Sequence, residues 1–357
     1  MKGKKDKGKS RVISMIRGRM EGMYIILVVL TALMALTIFS GMLFGRKIAL
    51  VSFWLTAFIV SMYVLIKSAD YFTSYSEKLG IALGVPQFII GMTVVALGTS
   101  LPELITASFA VVRGATEFVA GNVVGSNIAN ILLVLGLTAI ITRKLRINWD
   151  IMGQDVPLLF GSALLLIIIM IDGSITFFEG MIMLLLFFAY IAYTIFSNNS
   201  HSTGRHEKLS PLYPVIIILS GAGVYLGANY TIESVVSLSS LLGFADTSVI
   251  ALSAVAIGTS LPELSVSISA ARKGNYEMVV GNVVGSNIFN STLVIGVPSL
   301  VASLAVPSTT FIAAVAFMGG ATLLFIFSIM DRKILMFEGI VFVLAYILFL
   351  GTLFGLV

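Results

Sequence analysis

The sequence predicts an all-α polytopic membrane protein: two inverted five-helix repeats forming a ten-helix core, plus one extra N-terminal transmembrane helix, eleven spans in all. Three observations carry that expectation. The composition is too apolar for a water-soluble surface, the basic residues alternate from loop to loop, and one half of the chain repeats the other.

Of 357 residues, 58% are hydrophobic and only 11% charged, and the mean hydropathy is +1.05. Soluble domains carry about 25% charged residues. Apolar stretches of roughly 20 residues recur along the chain, the length a helix needs to cross the hydrocarbon core. Stretches that long point to helices, which satisfy their own backbone hydrogen bonds in lipid, and not to barrel strands. The absence of cysteine excludes disulfides, thiolate metal sites and cysteine nucleophiles. The net charge of +5 is no nucleic-acid signal, because eight of the 22 basic residues lie in the first 19 positions. The apolar run after that tail, Met23 to Phe44, is too long for the core of a secretory signal.

Hydropathy windows place spans at 23–44, 48–72, 86–112, 116–140, 153–171, 175–197, 212–239, 246–271, 276–305, 308–330 and 334–356. With residues 1–22 as a basic cytoplasmic tail, alternate loops sort the charges. Cytoplasmic segments then hold 18 basic residues, among them Lys78, Arg143, Lys144, Arg146, Arg205, Lys208, Arg272, Lys273, Arg332 and Lys333. The outer loops hold three, Arg46, Lys47 and Arg113. That bias puts the N-terminus inside and the C-terminus outside a cell membrane. The hydrophilic segment 198–211 reads as a cytoplasmic linker between a first repeat, 48–197, and a second, 212–357.

Residues 96–136 (ALGTSLPELITASFAVVRGATEFVAGNVVGSNIANILLVLG) match residues 256–296 (AIGTSLPELSVSISAARKGNYEMVVGNVVGSNIFNSTLVIG) at 24 of 41 positions, with an offset of 160 and no gap. A fainter echo follows at an offset of 159, DGSITFFEG from Asp172 against DRKILMFEG from Asp331. Five spans per copy is an odd number, so the second copy is expected upside down. In transporters built this way the substrate site lies at the repeat interface near the midplane. Glu103 and Glu263 can then face each other there.

Each copy of GTSLPE joins a helix breaker, two hydroxyls and a carboxylate. Proline removes an amide hydrogen and clashes with the preceding turn, so Pro102 is expected to free carbonyls near Gly98, with Ala96 and Thr99 close by; Ala256 and Thr259 are the counterparts. A charged side chain at the centre of a membrane helix costs at least about 2.5–3.5 kcal/mol. With no lysine or arginine at matching depth, a cation is the natural partner of each glutamate. In the second element, GNVVGSNIxN, the glycines permit close helix approach. Ser126 and Asn130, like Ser286 and Asn290, are four apart and share a helix face. They read as neutral oxygen ligands, against the plainer reading of interhelical hydrogen bonding. An inventory of carboxylates, hydroxyls, amides and carbonyls suits Ca²⁺ or Na⁺, not zinc or copper.

Other ionisable residues carry plainer readings. Glu117 and Glu277 open their helices, where the helix dipole favours acids. Lys67 and Asp70 are spaced to pair. Asp172, Glu179, Asp331 and Glu338 flank short loops at the interface.

At these motifs the chain resembles the cation/calcium exchanger superfamily, and within it the prokaryotic sodium/calcium exchanger branch. The resemblance implies that Glu103 and Glu263 ligate Ca²⁺ or Na⁺ centrally. Thr99, Thr259, Ser100, Ser260, Ser126, Ser286, Asn130 and Asn290, with the carbonyls of Ala96 and Ala256, would complete alternative ion sites. It also implies that the helices at 48–72 and 212–239 slide across an eight-helix core. The span at 23–44 is not part of the family's ten-helix pattern. Asparagine at both 130 and 290 resembles the potassium-independent branch, because potassium-dependent relatives carry aspartate in the second copy. GTSLPE differs from the Gly-Asn-Ala-Ala-Glu typical of the proton-coupled branch.

The resulting expectation is a secondary antiporter, not an enzyme, exchanging Na⁺ for Ca²⁺ by alternating access, electrogenic and independent of K⁺. It needs no cofactor, and its partners are the two ions and the lipid bilayer, with neither nucleic acid nor an obligate protein partner. A Ca²⁺/H⁺ antiporter on the same scaffold is the alternative, since desolvated glutamates can carry protons. A cation channel is a further one, although pores usually need rings of ligands. A membrane enzyme fits least, because the spans contain neither histidine nor cysteine.

Overall fold

A computed structural model of the chain describes residues 46–148, 153, 155–197, 210–242 and 260–353. The basic tail, the predicted span at 23–44 and most of the predicted span at 246–271 lie outside these residues, as do Ala256 and Thr259.

Ten helices are described: α1 Arg46–Leu83, α2 Gln87–Val112, α3 Thr116–Thr142, α4 Asp155–Ile169, α5 Phe177–Ser197, α6 Leu212–Leu242, α7 Leu261–Arg272, α8 Tyr276–Ser299, α9 over 308–329 and α10 Met336–Leu353. Among the described residues, eight helices are long and apolar enough to cross a membrane. The protein is an all-helical, multi-pass membrane protein. Large apolar side chains, Phe178, Phe188, Phe327 and Phe337 among them, stand on its surface, where hydrocarbon is their natural solvent.

Helix α1 runs past its predicted end at 72 because nothing in the sequence breaks it before Gly84, whose φ of 68° is a left-handed value that glycine adopts without strain. Pro86 then caps α2. The Gly114 and Gly274 turns, with φ of 78° and 79°, close α2 and α7 in the same way and sit 160 residues apart. Glu117 and Glu277 fall in the first turns of α3 and α8 as expected. Glu179 and Glu338 cap their helices by accepting from the amides of Thr176 at 2.7 Å and Leu335 at 2.6 Å.

Burial identifies the centre. In the most apolar window of α8, 94% of residues are buried, and in that of α3 72%, against 11% for α1 and 22% for α6. Helices α1 and α6 lie along each other at the periphery. A Cβ at Gly227 would meet the Leu65 backbone at 2.6 Å, and Thr231 Oγ1 donates to Ser61 Oγ at 2.9 Å.

The predicted Lys67–Asp70 pair is not formed. Asp70 instead accepts from Ser269 Oγ at 2.7 Å, while its backbone carbonyl takes a bond from Lys273 Nζ at 2.7 Å. Both bonds tie α1 to the end of α7, because Asp70 faces the neighbouring helix, not its own surface. Burial there pulls Lys273 below the ordinary lysine range, with Asp70 and Glu77 opposing. Lys67 Nζ lies 5.9 Å from the Tyr63 ring.

Two short antiparallel ribbons join the halves. Strand β1 (Lys144–Arg146) pairs with β4 (Lys333–Leu335), and β2 (Ser174–Ile175) with β3 (Leu304–Ala305). At the repeat offsets, β1 corresponds to β3 and β2 to β4. Each strand therefore pairs with the counterpart of the other strand in its own half.

Candidate functional site

The site begins where helices depart from regular geometry. A π turn occupies Asn130–Leu135 in α3 and Asn290–Val294 in α8, the same register in the two halves, each opening on a predicted ligand. A further π turn, Gly91–Val95, precedes Ala96 in α2. Such single π turns widen the helix locally and gather at functional sites.

The two prolines act differently. Helix α2 continues through Pro102, which has no amide hydrogen to offer the Gly98 carbonyl one turn back. In the second copy Ser260 stands ahead of α7 with Pro262 in the first turn, the position where the missing amide hydrogen costs nothing. Glu263 therefore lies in the first turn of α7, where free amides and the helix dipole favour a carboxylate.

Close packing carries α8 to α2. A Cβ on Gly285 would stand 2.7 Å from Ala96 Cβ, and one on Gly91 2.5 Å from the Met278 carbonyl. Glycine at these positions lets the backbones touch, as the second motif predicts. Gly125, the counterpart of Gly285, meets nothing within 4 Å among the described residues.

This packing brings predicted ligands of opposite halves together. Thr99 Oγ1 lies 3.4 Å from Ser286 Oγ, 3.3 Å from the Ala96 carbonyl and 3.3 Å from Asn282 Oδ1. Glu103, one turn on from Thr99, is near enough to Glu263 for their charges to interact. Asn130 Nδ2 donates to Asn287 Oδ1 at 3.0 Å. Ser126 is buried on α3. All the described candidates, Ala96, Thr99, Ser100, Glu103, Ser126, Asn130, Ser260, Glu263, Ser286 and Asn290, are buried.

Unmet oxygens mark the place. Glu103 Oε2, both carboxylate oxygens of Glu263, Ser100 Oγ, Ser260 Oγ, Asn130 Oδ1 and Asn290 Oδ1 are buried without a hydrogen-bond partner among the described residues. More than nine in ten buried polar groups in proteins are hydrogen-bonded, so a cluster of oxygens left open around two like-charged carboxylates calls for a positive occupant. Hard oxygens in this number fit Ca²⁺ or Na⁺.

The sequence reading missed Asn127, Asn282, Asn287, Ser267 and Ser291. Asn127 Nδ2 donates to Ser291 Oγ at 2.8 Å, Asn287 Nδ2 to the Asn127 carbonyl at 3.3 Å, and Asn282 Nδ2 to Ser267 Oγ at 3.1 Å. For the asparagines the signal was present, since Asn122/Asn282 and Asn127/Asn287 are identical between the copies, whereas Ser267 and Ser291 stand against Ala107 and Ile131. A single-face argument passed over them, whereas α8 is buried on nearly every side.

The sodium/calcium exchanger protein family matches residues 53–196 and 212–355. Sodium/calcium exchanger MaX1 of Methanosarcina acetivorans is 32% identical, over 83% of this chain and 97% of its own. The inner membrane protein YrbG of Escherichia coli is 33% identical, over 68% of this chain and 78% of its own. The solved structure of the sodium-calcium exchanger NCX_Mj soaked with Na⁺ and Sr²⁺ superposes with a TM-score of 0.73 at 32% identity, covering 84% of this chain and 98% of that one.

Proposed function

We propose that this chain, which belongs to the sodium/calcium exchanger protein family, exchanges Na⁺ for Ca²⁺ across its membrane at the Glu103–Glu263 site. The observation that carries the proposal is the set of buried, unpartnered oxygens around two carboxylates contributed by opposite halves. Two negative charges balance one Ca²⁺ or two Na⁺. The hydroxyls of Thr99 and Ser286 supply neutral oxygens for a further monovalent ion, which makes the exchange electrogenic. Asn130 and Asn290 add no third carboxylate, so K⁺ is not required. Thr259 and Ala256 join the ligand set by repeat symmetry.

The architecture we infer is two inverted five-helix repeats, 48–197 and 212–357, joined by a cytoplasmic linker at 198–211, with an eleventh span at 23–44 following the basic tail. The exchanged pairing of the ribbons supports the inversion. Strands equivalent by sequence, β1 and β3, lie on different ribbons, and α4 links β1 to β2 along the chain, from one ribbon to the other. Ribbon β1·β4 also gathers Lys144, Arg146, Arg332 and Lys333 around one pocket, as the positive-inside bias expects of a cytoplasmic face. It supports a reading with the N-terminus inside and the C-terminus outside. The peripheral pair α1 and α6, little buried, suits a sliding bundle that alternates access.

Reconstitution in sealed liposomes tests the reading. An outward Na⁺ gradient drives Ca²⁺ uptake in wild type, and Glu103→Gln or Glu263→Gln abolishes it while the protein remains in the membrane. Uptake that follows a pH gradient and ignores Na⁺ makes the protein a Ca²⁺/H⁺ antiporter instead. Near-normal uptake in either glutamine variant places the site elsewhere.

A further inference from the structure

Helix α1 is little buried, yet two bonds fasten it to α7, the helix that carries Glu263 in its first turn. Asp70 Oδ1 accepts from Ser269 Oγ at 2.7 Å, and the Asp70 carbonyl accepts from Lys273 Nζ at 2.7 Å. A carboxylate has no proton to give and an ammonium has no lone pair, so the donor of each bond is unambiguous. Ser269 is itself buried, at the end of α7 away from Glu263. Two residues on from Asp70, the buried Phe72 ring lies between helices. A Cβ on Gly98 of α2 would stand 2.5 Å from its Cζ, and one on Gly221 of α6 3.4 Å from its Cε2. Gly98 precedes Glu103 on α2, so the ring covers that helix between its start and the carboxylate.

The bond to the carboxylate has no equivalent in the other half. At the repeat offset of 160, Asp70 corresponds to Tyr230 and Ser269 to Phe109. Both are exposed, and neither brings a carboxylate. Helix α6 therefore has no matching grip on α2. Where a moving pair of helices closes one face and then the other, a bond made on one face alone favours the state in which that face is closed.

We propose that Asp70 is a positioning residue for transport. With Ser269 it latches α1 to α7 and holds Phe72 against α2, so that the state closed toward the cytoplasm is favoured and is unlatched each time an ion leaves on that side. The inference rests on the reading of α1 and α6 as the moving pair and of the Lys273 end of α7 as cytoplasmic, and adds a residue that touches no ion itself.

The test uses the full-length protein in right-side-out and inside-out membrane vesicles, with half-saturating Ca²⁺ read at each face from Ca²⁺–Ca²⁺ exchange. An apparent dissociation constant is the intrinsic one divided by the fraction of protein in the competent state. Asp70→Ala and Ser269→Ala should each lower the cytoplasmic half-saturating concentration about three- to tenfold, the range one modest hydrogen bond carries, and leave the outer value unchanged or raised. The double variant should match the larger single effect, because both changes remove the same bond. Values unchanged at both faces overturn the proposal. Values moved equally at both faces also overturn it, by showing damage to the site or the fold. In a second arm, Asp70→Cys with Ser269→Cys is bridged by a short bifunctional thiol reagent in this cysteine-free chain. The bridge should stop exchange while added Ca²⁺ still raises the melting temperature in detergent, and its release should restore exchange. Exchange at the wild-type rate with the bridge intact overturns the latch. A wild type that exchanges no Ca²⁺ defeats the underlying reading and the latch with it, whereas an active wild type with failed variants defeats the latch alone.

Discussion

Asn130 and Asn290 occupy the same place in the two repeats, yet only Asn130 is hydrogen-bonded, through Nδ2 to Asn287 Oδ1 at 3.0 Å. Both polar atoms of Asn290 are buried without a partner among the described residues. One asparagine ties α3 to α8, and the other has side-chain capacity to spare for a ligand.

Replacing these two residues should therefore separate stability from binding. Asn130→Ala leaves Asn287 Oδ1 unpaired, a loss of about 1–3 kcal/mol for a buried group, and lowers the ion-free melting temperature. Asn290→Ala breaks no bond, so the ion-free melting temperature stays near wild type while the stabilisation by added Ca²⁺ or Na⁺ shrinks. Thermal melts with and without cations check both halves of this prediction. Equal ion-free losses in the two variants would contradict it.

The glycines offer a second contrast. A methyl group at Gly285 has no room against Ala96 and the Met92 backbone, whereas at Gly161 it meets nothing within 4 Å. Gly285→Ala should destabilise by about 1–3 kcal/mol through overpacking and weaken uptake by spreading α2 from α8. Gly161→Ala should be neutral or stabilising by up to about 1 kcal/mol, since alanine is the better helix former. Melting temperatures in detergent report the sign of each.

Much of this was legible in the sequence, and the limits have physical causes. The repeat exposed the carboxylate pair and its oxygen inventory, because identity at a fixed offset survives whatever packing does. Lys67 and Asp70 misled because spacing along one helix says nothing of a neighbour such as Ser269, 199 residues away. Pro102 was legible for the carbonyl it leaves without a donor, while the continuity of α2 through it depends on neighbouring helices that the local sequence does not name. Asn282 was hidden because helical-face arguments assume a wet side, and α8 has almost none.

Transport should proceed at an unchanged rate when K⁺ is removed from both sides of a liposome, because the asparagines at 130 and 290 provide no further negative charge. An imposed potential should change the rate of Na⁺-driven uptake, as one elementary charge is worth about 2.3 kcal/mol per 100 mV. A K⁺ requirement would show that a third site has been overlooked. Indifference to voltage would remove the additional monovalent ion.

The ribbons provide a test of sidedness. Residues facing each other in an antiparallel ladder have Cα atoms about 4.5–5.5 Å apart, within disulfide range. Arg146 faces Lys333 and Ser174 faces Ala305, and the chain has no cysteine of its own. Cysteine pairs at these positions should each cross-link on oxidation. In intact cells an impermeant maleimide should block only the Ser174/Ala305 pair, with the Arg146/Lys333 pair reached after lysis. Blocking of both pairs from one side would refute the inverted arrangement.

The exchanged strands also set a schedule for biogenesis. When the first half leaves the ribosome, Lys144–Arg146 and Ser174–Ile175 have no partners within it, since their complements are Lys333–Leu335 and Leu304–Ala305. At about 5–20 residues per second, those unpaired edges wait on the order of ten seconds or more for the far half to be made. A nascent chain stalled near its middle would thus hold both strand edges open, each a template on which another chain could pair.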